Sequence, residues 1–428
     1  MSRPLPNICG TQATMDQCRR YRDKIGAASS GNRMRRFYRV IGSAVCLLTM
    51  VCAGRMDAQT PLEDSSNTLA NGRAALRRGD LPRAQSLLEQ AVQQNPNSPD
   101  ASFLLGVAYL RLGQMVSAEL QLQRAVVLRP NYPEAYTNLG ILYDQQGQYE
   151  RSGAAFQQAL KLKPTDENAL YNLGLSYLRQ KEPADALQVF TGLVRLDPLY
   201  SRAYLQSGVA ASDLGRFADA ENLLKRYTSI SSQDADGYLK LGEVFYSQGK
   251  YREAVGAFQR ATELNTTMSR AYSQLGYTFY NLGEFPEAGT ALRKAIALEP
   301  RSVDANLYMG MLLIDSGDRD NALGYIQKVL ELQPDNATAI YYEGYIALLA
   351  GRLPEALGHL EDAAHRMPND ARIYYALALA YSRMKKTKES EAALGKFHEL
   401  QAAQARTSKN GEYLSPAALP ASNSAIHP

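Results

Sequence analysis

A glycine returns every 34 residues through most of this chain. Gly72, Gly106, Gly140, Gly174, Gly208, Gly242, Gly276, Gly310 and Gly344 keep the step, and Ala378 continues it. No insertion or deletion breaks the phase over ten units, which excludes a chance origin. A chain with this pattern folds as a row of like units, each stabilised by its neighbours rather than by one central core.

Other columns share the step. Twelve residues after the small residue stand Ala84, Ala118, Ser152, Ala186, Ala220, Ala254, Ala288, Ala322, Ala356 and Ser390. Four further on are Leu88, Leu122, Phe156, Phe190, Leu224, Phe258, Leu292, Ile326, Leu360 and Leu394. A second glycine column runs through Gly79, Gly113, Gly147, Gly215, Gly249, Gly283, Gly317 and Gly351. A proline column holds Pro96, Pro130, Pro164, Pro198, Pro300, Pro334 and Pro368, with Ser232, Thr266 and Ala402 in its remaining places.

The second glycine and the proline punctuate two stretches of helical period in each unit. The second glycine ends the first helix, because glycine accepts the left-handed backbone there. Proline ends the second helix and begins the turn. The first glycine lies inside a helix, where it costs about 1 kcal/mol relative to alanine. Its recurrence implies a gain from close helix–helix contact, with the alanine column expected as the opposing surface.

Together these residues resemble the tetratricopeptide repeat. Unit three carries the pattern in full, with Tyr136, Leu139, Gly140, Tyr143, Gly147, Phe156, Ala159 and Pro164. The resemblance covers residues 65–404. It implies an all-α fold, a right-handed α-solenoid superhelix of ten antiparallel helix pairs. Departures are Lys181 at the turn glycine of repeat four, and Tyr227 and Ser232 in the alanine and proline columns of repeat five. These are expected to loosen packing locally. Thr68 and Asn71 in the first repeat, and the polar run from Lys388 to Gln404, read as capping surfaces.

The ends are different in kind. Arg35, Arg36 and Arg39 precede an uncharged, largely apolar run from Val40 to Ala53, followed by Ala53 or Ala58 as small residues for cleavage. That is the layout of a secretory signal peptide, with Met34 as the expected start, and it is short of the ~20 residues that span a bilayer. An uncleaved anchor is the alternative, and then the membrane is met only through this leader. The four cysteines, Cys9, Cys18, Cys46 and Cys52, all precede residue 53, so the repeats carry no thiol, which suits an oxidising compartment. The expected division is 1–58 as extension and signal, 59–64 as a short linker, 65–404 as repeats and 405–428 as a disordered tail.

Charge and chemistry narrow the function. The formal net charge is +4, but residues 1–58 contribute +7 and the remainder −3. A nucleic-acid partner needs a basic face to displace counterions, and the repeats have no basic excess. The histidines are His359, His365, His398 and His427, with no spacing that forms a metal site or a nucleophile–base pair. No Gly-x-Gly pair and no Gly-Lys-Ser/Thr occurs in the repeats, so dinucleotide and phosphate loops are absent. No catalytic, cofactor-binding or metal-binding residue is expected, and the chain reads as a non-enzyme.

The resemblance implies that the first helix of each pair lines a concave groove through positions 2, 5, 6, 9, 12 and 13. These positions share one helical face. In the C-terminal half they hold Tyr246, Tyr277, Tyr280, Tyr308, Tyr341, Tyr342, Tyr345 and Tyr375. Tyrosine offers large area, few rotors and one polar handle to a bound peptide. In the N-terminal half Arg73, Arg77, Arg111 and Arg179 are candidates to meet carboxylates on a partner. Asn138 and Asn172 match the asparagine of the family's carboxylate clamp at position 6, but position 5 has no Lys and position 9 no Asn, so the clamp is incomplete. The expected function is an exported scaffold that binds a peptide or partner protein in envelope assembly. The alternatives are a docking subunit for a separate enzyme such as a glycosyltransferase, and an intracellular adaptor.

Overall fold

A computed structural model of the protein describes residues 60–409, and side chains within 66–403. Among the described residues every regular element is helical. Residues up to Asn138 form one compact unit and those from Leu139 a second. The first unit contains α1 (Thr60–Arg78), α2 (Leu81–Gln94), α3 (Pro99–Arg111), α4 (Met115–Leu128) and the start of α5 (Pro133–Gln145). The second continues with α6 (Tyr149–Leu162), α7 (Glu167–Arg179), α8 (Pro183–Leu196), α9 (Ser201–Asp213), α10 (Phe217–Ile230), α11 (Ala235–Ser247) and α12 (Tyr251–Leu264). It ends with α13 (Ser269–Asn281), α14 (Phe285–Leu298), α15 (Val303–Asp315), α16 (Arg319–Leu332), α17 (Ala337–Leu349), α18 (Leu353–Arg366), α19 (Ala371–Arg383) and α20 (Thr387–Lys409). These are ten antiparallel pairs. Two boundaries differ from expectation: α1 already begins within the supposed linker, and α20 runs five residues into the supposed tail. The stretch expected to be an export signal lies outside the described residues.

The punctuation works as hydrogen-bond chemistry. At the first turn, Gly113 takes φ of 73°, and the Gln114 N–H reaches back to the Tyr109 carbonyl at 2.9 Å. This pair of features satisfies carbonyls left open at the helix end. Repeat four keeps the same geometry without glycine, since Lys181 adopts φ of 61°, and Lys385 does so in repeat ten at 60°. At the second turn the residue before the helix supplies the cap. Ser98, Asp166, Ser302 and Asn336 each accept from the backbone N–H three residues on.

From Gly72 to Gly310 the first glycine lies closest to the side chain of the Leu/Phe/Ile column, and the alanine column approaches it only through backbone, as at Ala288 and Ala322. A Cβ on Gly174 would stand 2.5 Å from Phe190 Cζ, and one on Gly106 2.7 Å from Leu122 Cγ. The bulky residue sixteen places on fills the space that the missing methyl leaves, and Phe156, Phe190 and Phe258 are fully enclosed as a result. Alanine is too short to reach across this gap. Its column instead lies buried at the start of the second helix, from Ala84 to Ala356.

First helices also touch the first helices of the next repeat, as α9 does α11, α11 does α13 and α13 does α15. Among the described residues, no contact of this extent joins consecutive second helices. The first helices therefore line the inner side of the second unit's curve, and the second helices splay outside it. A cleft of about 510 Å³ between α8 and α10 marks that splay.

Candidate functional site

We number each repeat from residues 65, 99, 133 and onward in steps of 34. On the inner side of repeats five to seven, three first helices border an open recess of about 490 Å³. Its apolar lining is Leu205 and Val209 from α9, Leu239 from α11, and Met268 just before α13. Gln206, Asp236, Lys240 and Arg270 add the polar lining. Apart from Met268, these side chains occupy positions 2, 5, 6 and 9 of their repeats, so helical periodicity aims them at one another from neighbouring helices. Charge here is organised internally: Glu243 accepts Lys240 at 2.8 Å and Arg270 at 2.7 Å. None of the cavity residues was singled out from sequence. Each is an ordinary residue type, and the recess exists only between helices.

Beside this recess runs a chain of tyrosine rings. Tyr246 lies 5.5 Å from Tyr277, and Tyr277 stacks on Tyr308 at 4.1 Å with only 7° between planes. Tyr277 also stacks near Tyr280 at 6.1 Å, and Tyr280 donates to Asp315 Oδ2 at 2.5 Å. The four rings are half-buried. Burial pushes the Tyr280 and Tyr308 phenols well above the ordinary tyrosine range, so both stay neutral donors. Burial likewise raises the Asp315 carboxyl, against the pull of the Tyr280 hydrogen bond.

Several expected groove residues serve the array itself. Tyr341 and Tyr342 are 2% and 8% exposed and belong to the core of repeats eight to ten. Arg372, held by Asp370 at 2.6 Å, lies over the Tyr341 ring and reaches the Tyr342 hydroxyl. They are core, not binding surface. Tyr345 remains half-buried, 5.9 Å from Tyr341. Tyr375 packs on Phe397 of the last helix at 5.4 Å.

The N-terminal candidates divide in the same way. Arg179 is ion-paired with Asp144 of the preceding repeat. Arg111 donates to the Leu76 carbonyl at 3.2 Å, where α1 ends. A guanidinium at a helix C-terminus meets both open carbonyls and the negative end of the dipole. These two arginines tie repeats together. Arg73 and Arg77 are exposed. Asn138 and Asn172 each donate their amide to the carbonyl four residues back, at 2.8 Å. Among the described residues, no group of three or more His, Cys, Asp or Glu stands close enough to hold a metal, and no helix is long and apolar enough to cross a membrane.

Comparison with known proteins follows this geometry. Tetratricopeptide repeat profiles match residues 69–135, 137–201 and 307–371, and further ones match 177–241, 242–283, 269–302 and 371–403. No curated protein matches the chain. Among solved structures, MamA is 28% identical over 39% of this chain and 96% of its own, with a TM-score of 0.36. PilF of Pseudomonas aeruginosa is 20% identical over 50% of this chain and 97% of its own, with a TM-score of 0.43. YrrB, a TPR protein with an unusual peptide-binding site, is 23% identical over 44% of this chain and 97% of its own, with a TM-score of 0.38. With its 34-residue period, its ten helix pairs and these profile matches along nearly the whole array, the chain belongs to the tetratricopeptide repeat family.

Proposed function

We propose that this protein is an exported scaffold that holds an extended segment of a partner protein along the inner side of repeats five to nine. A tetratricopeptide array is a framework for protein–protein contact, and the proposal concerns where and with what. The observation that carries it is the recess of about 490 Å³, apolar in part and polar in part, beside the tyrosine rings. An extended chain presents alternating side chains and unpaired backbone groups. Leu205 and Val209, both half-buried, suit the former, and Gln206 and the phenols suit the latter. Export rests on the sequence from Arg35 to Ala58, and the mass of the mature chain tests it.

The binding test is capture of partners from envelope extract by the native chain and by Val209→Glu. Val209 is half-buried in the groove wall, so a carboxylate there blocks the recess while its helix stays intact. We expect one partner to bind the native chain and to be lost from the variant at an unchanged melting temperature. A partner retained equally by both proteins contradicts the groove assignment. Co-elution of a transferase activity would instead mark a docking subunit.

A further inference from the structure

We propose that Asp315, set beside the tyrosines of repeats seven to nine, anchors a lysine or arginine side chain of the segment that the groove binds. The inference rests on the groove reading above and names the chemistry of its ligand.

Asp315 is the last residue of α15 and stands at position 13, on the groove face. It is exposed. Its one described partner is the Tyr280 hydroxyl, a neutral donor. Among the described residues no cation pairs with it. Four cations of the groove face already have acceptors of their own. Lys240 and Arg270 share Glu243, Arg372 is held by Asp370, and Arg383 donates to the Leu348 carbonyl at 2.9 Å. Arg319 and Arg383 are close enough to Tyr345 to lower its phenol's pKa against burial, but neither reaches the Asp315 carboxylate. Asp304, at position 2 of the same repeat, is also exposed without a described cation, so the uncompensated charge of repeat eight is negative.

The surroundings match the charge. Tyr280 and Tyr345 offer aromatic rings and hydroxyls near this carboxylate, and Tyr342 backs them from the core. Aromatic faces attract cations through the ring quadrupole, and more strongly where water is partly excluded. A carboxylate among them supplies the counter-charge. Desolvation already lifts the Asp315 carboxyl, the mark of a carboxylate that lacks a positive neighbour and would gain one from a ligand. A basic side chain completes this site. An acidic one meets repulsion from Asp315.

The test selects random decapeptides displayed on phage against the full chain, then measures the best binder with Lys, Arg, norleucine or Glu at its enriched position. We expect one position enriched in Lys or Arg, with Lys bound about tenfold more tightly than norleucine. Asp315→Asn keeps the shape and an acceptor for Tyr280, and should reduce that ratio to about twofold or less. Tyr280→Phe removes only the hydroxyl and should keep the preference. Selected peptides without a basic position, or a Lys preference that survives Asp315→Asn, overturn the cation site while leaving the groove standing. If nothing is selected, or if the peptides bind Val209→Glu as well as the native chain, the groove reading fails and the cation site with it.

Discussion

The ring of Tyr227 occupies the space beside Gly237 that a methyl group fills in most other repeats. A Cβ built on Gly237 would collide with the Tyr227 ring carbons. At five other junctions the same two positions are both alanine, as with Ala125 and Ala135, which pack together. Repeat five places a large residue where alanine is usual, and repeat six answers with the smallest. Tyr227 is only 6% exposed and donates its hydroxyl to Asp234, so the exchange is satisfied in both volume and hydrogen bonding.

This coupling predicts a non-additive cycle. Gly237→Ala alone overpacks the site and should cost about 1–3 kcal/mol. Tyr227→Ala alone leaves a cavity and should cost about 3–5 kcal/mol. The double variant restores the usual pair of alanines, and should be more stable than the sum of the single losses by about 1–3 kcal/mol. Urea denaturation of all four proteins checks this, and additive losses would show that the two residues do not pack as a pair.

Gly174 should not tolerate a side chain. Its absent Cβ would fall 2.5 Å from Phe190 Cζ, and Phe190 is fully buried. Gly174→Leu should therefore destabilise by about 1–3 kcal/mol, although leucine is the better helix former. A melting temperature equal to that of the native chain would remove the packing account of this glycine column.

Lys181 offers the opposite case. It holds φ of 61° where eight other repeats use glycine, a conformation that costs a side-chain-bearing residue about 1–2 kcal/mol. Lys181→Gly removes that cost but frees the unfolded chain, so a net gain of about 0.5–1 kcal/mol is expected. Thermal denaturation measures it, and a lower midpoint would mean that the lysine side chain makes a contact worth more than the strain.

Glu221 supplies a pH test. Burial raises its carboxyl, but hydrogen bonds from Lys225 and Lys250 outweigh this and hold it lowered to about 2. The folded pKa is below the unfolded one, so its stabilisation is present in full above the ordinary glutamate range and is lost as pH falls toward about 2. Glu221→Gln should cost about 0.5 kcal/mol at neutral pH, a modest value because both lysines are substantially exposed. The loss should vanish in strong acid. A difference between the two proteins that is constant from pH 6 to pH 2 would assign the effect to packing instead.

How far the sequence reached depends on whether a property is local. Turn geometry is local, so the second glycine column located the first-helix end in eight repeats, and the cap at Ser98 or Asp166 follows the same rule. The partner of the first glycine is not local, since reaching from Gly174 to Phe190 is a matter of side-chain length across two helices. Position in the repeat placed Tyr341 and Tyr342 on the groove face, yet Arg372 of the next repeat covers them. Arg111 and Arg179 looked free because their acceptors, the Leu76 carbonyl and Asp144, sit in the preceding repeat. The recess between Leu205, Leu239 and Met268 left no sequence signal, because it is a space between residues that are unremarkable one by one.

The central claim is that a partner lies along the inner side of repeats five to nine, and site-specific photo-crosslinking tests it most directly. A photoreactive residue would replace Val209 or Gln206 on the groove side, and Gln158 or Gly192 on the exposed faces of α6 and α8, each in the otherwise native chain in its cells. The account predicts one shared adduct from positions 209 and 206 and none from 158 and 192. Adducts from 158 or 192 alone would place the partner on the outer face and contradict the account.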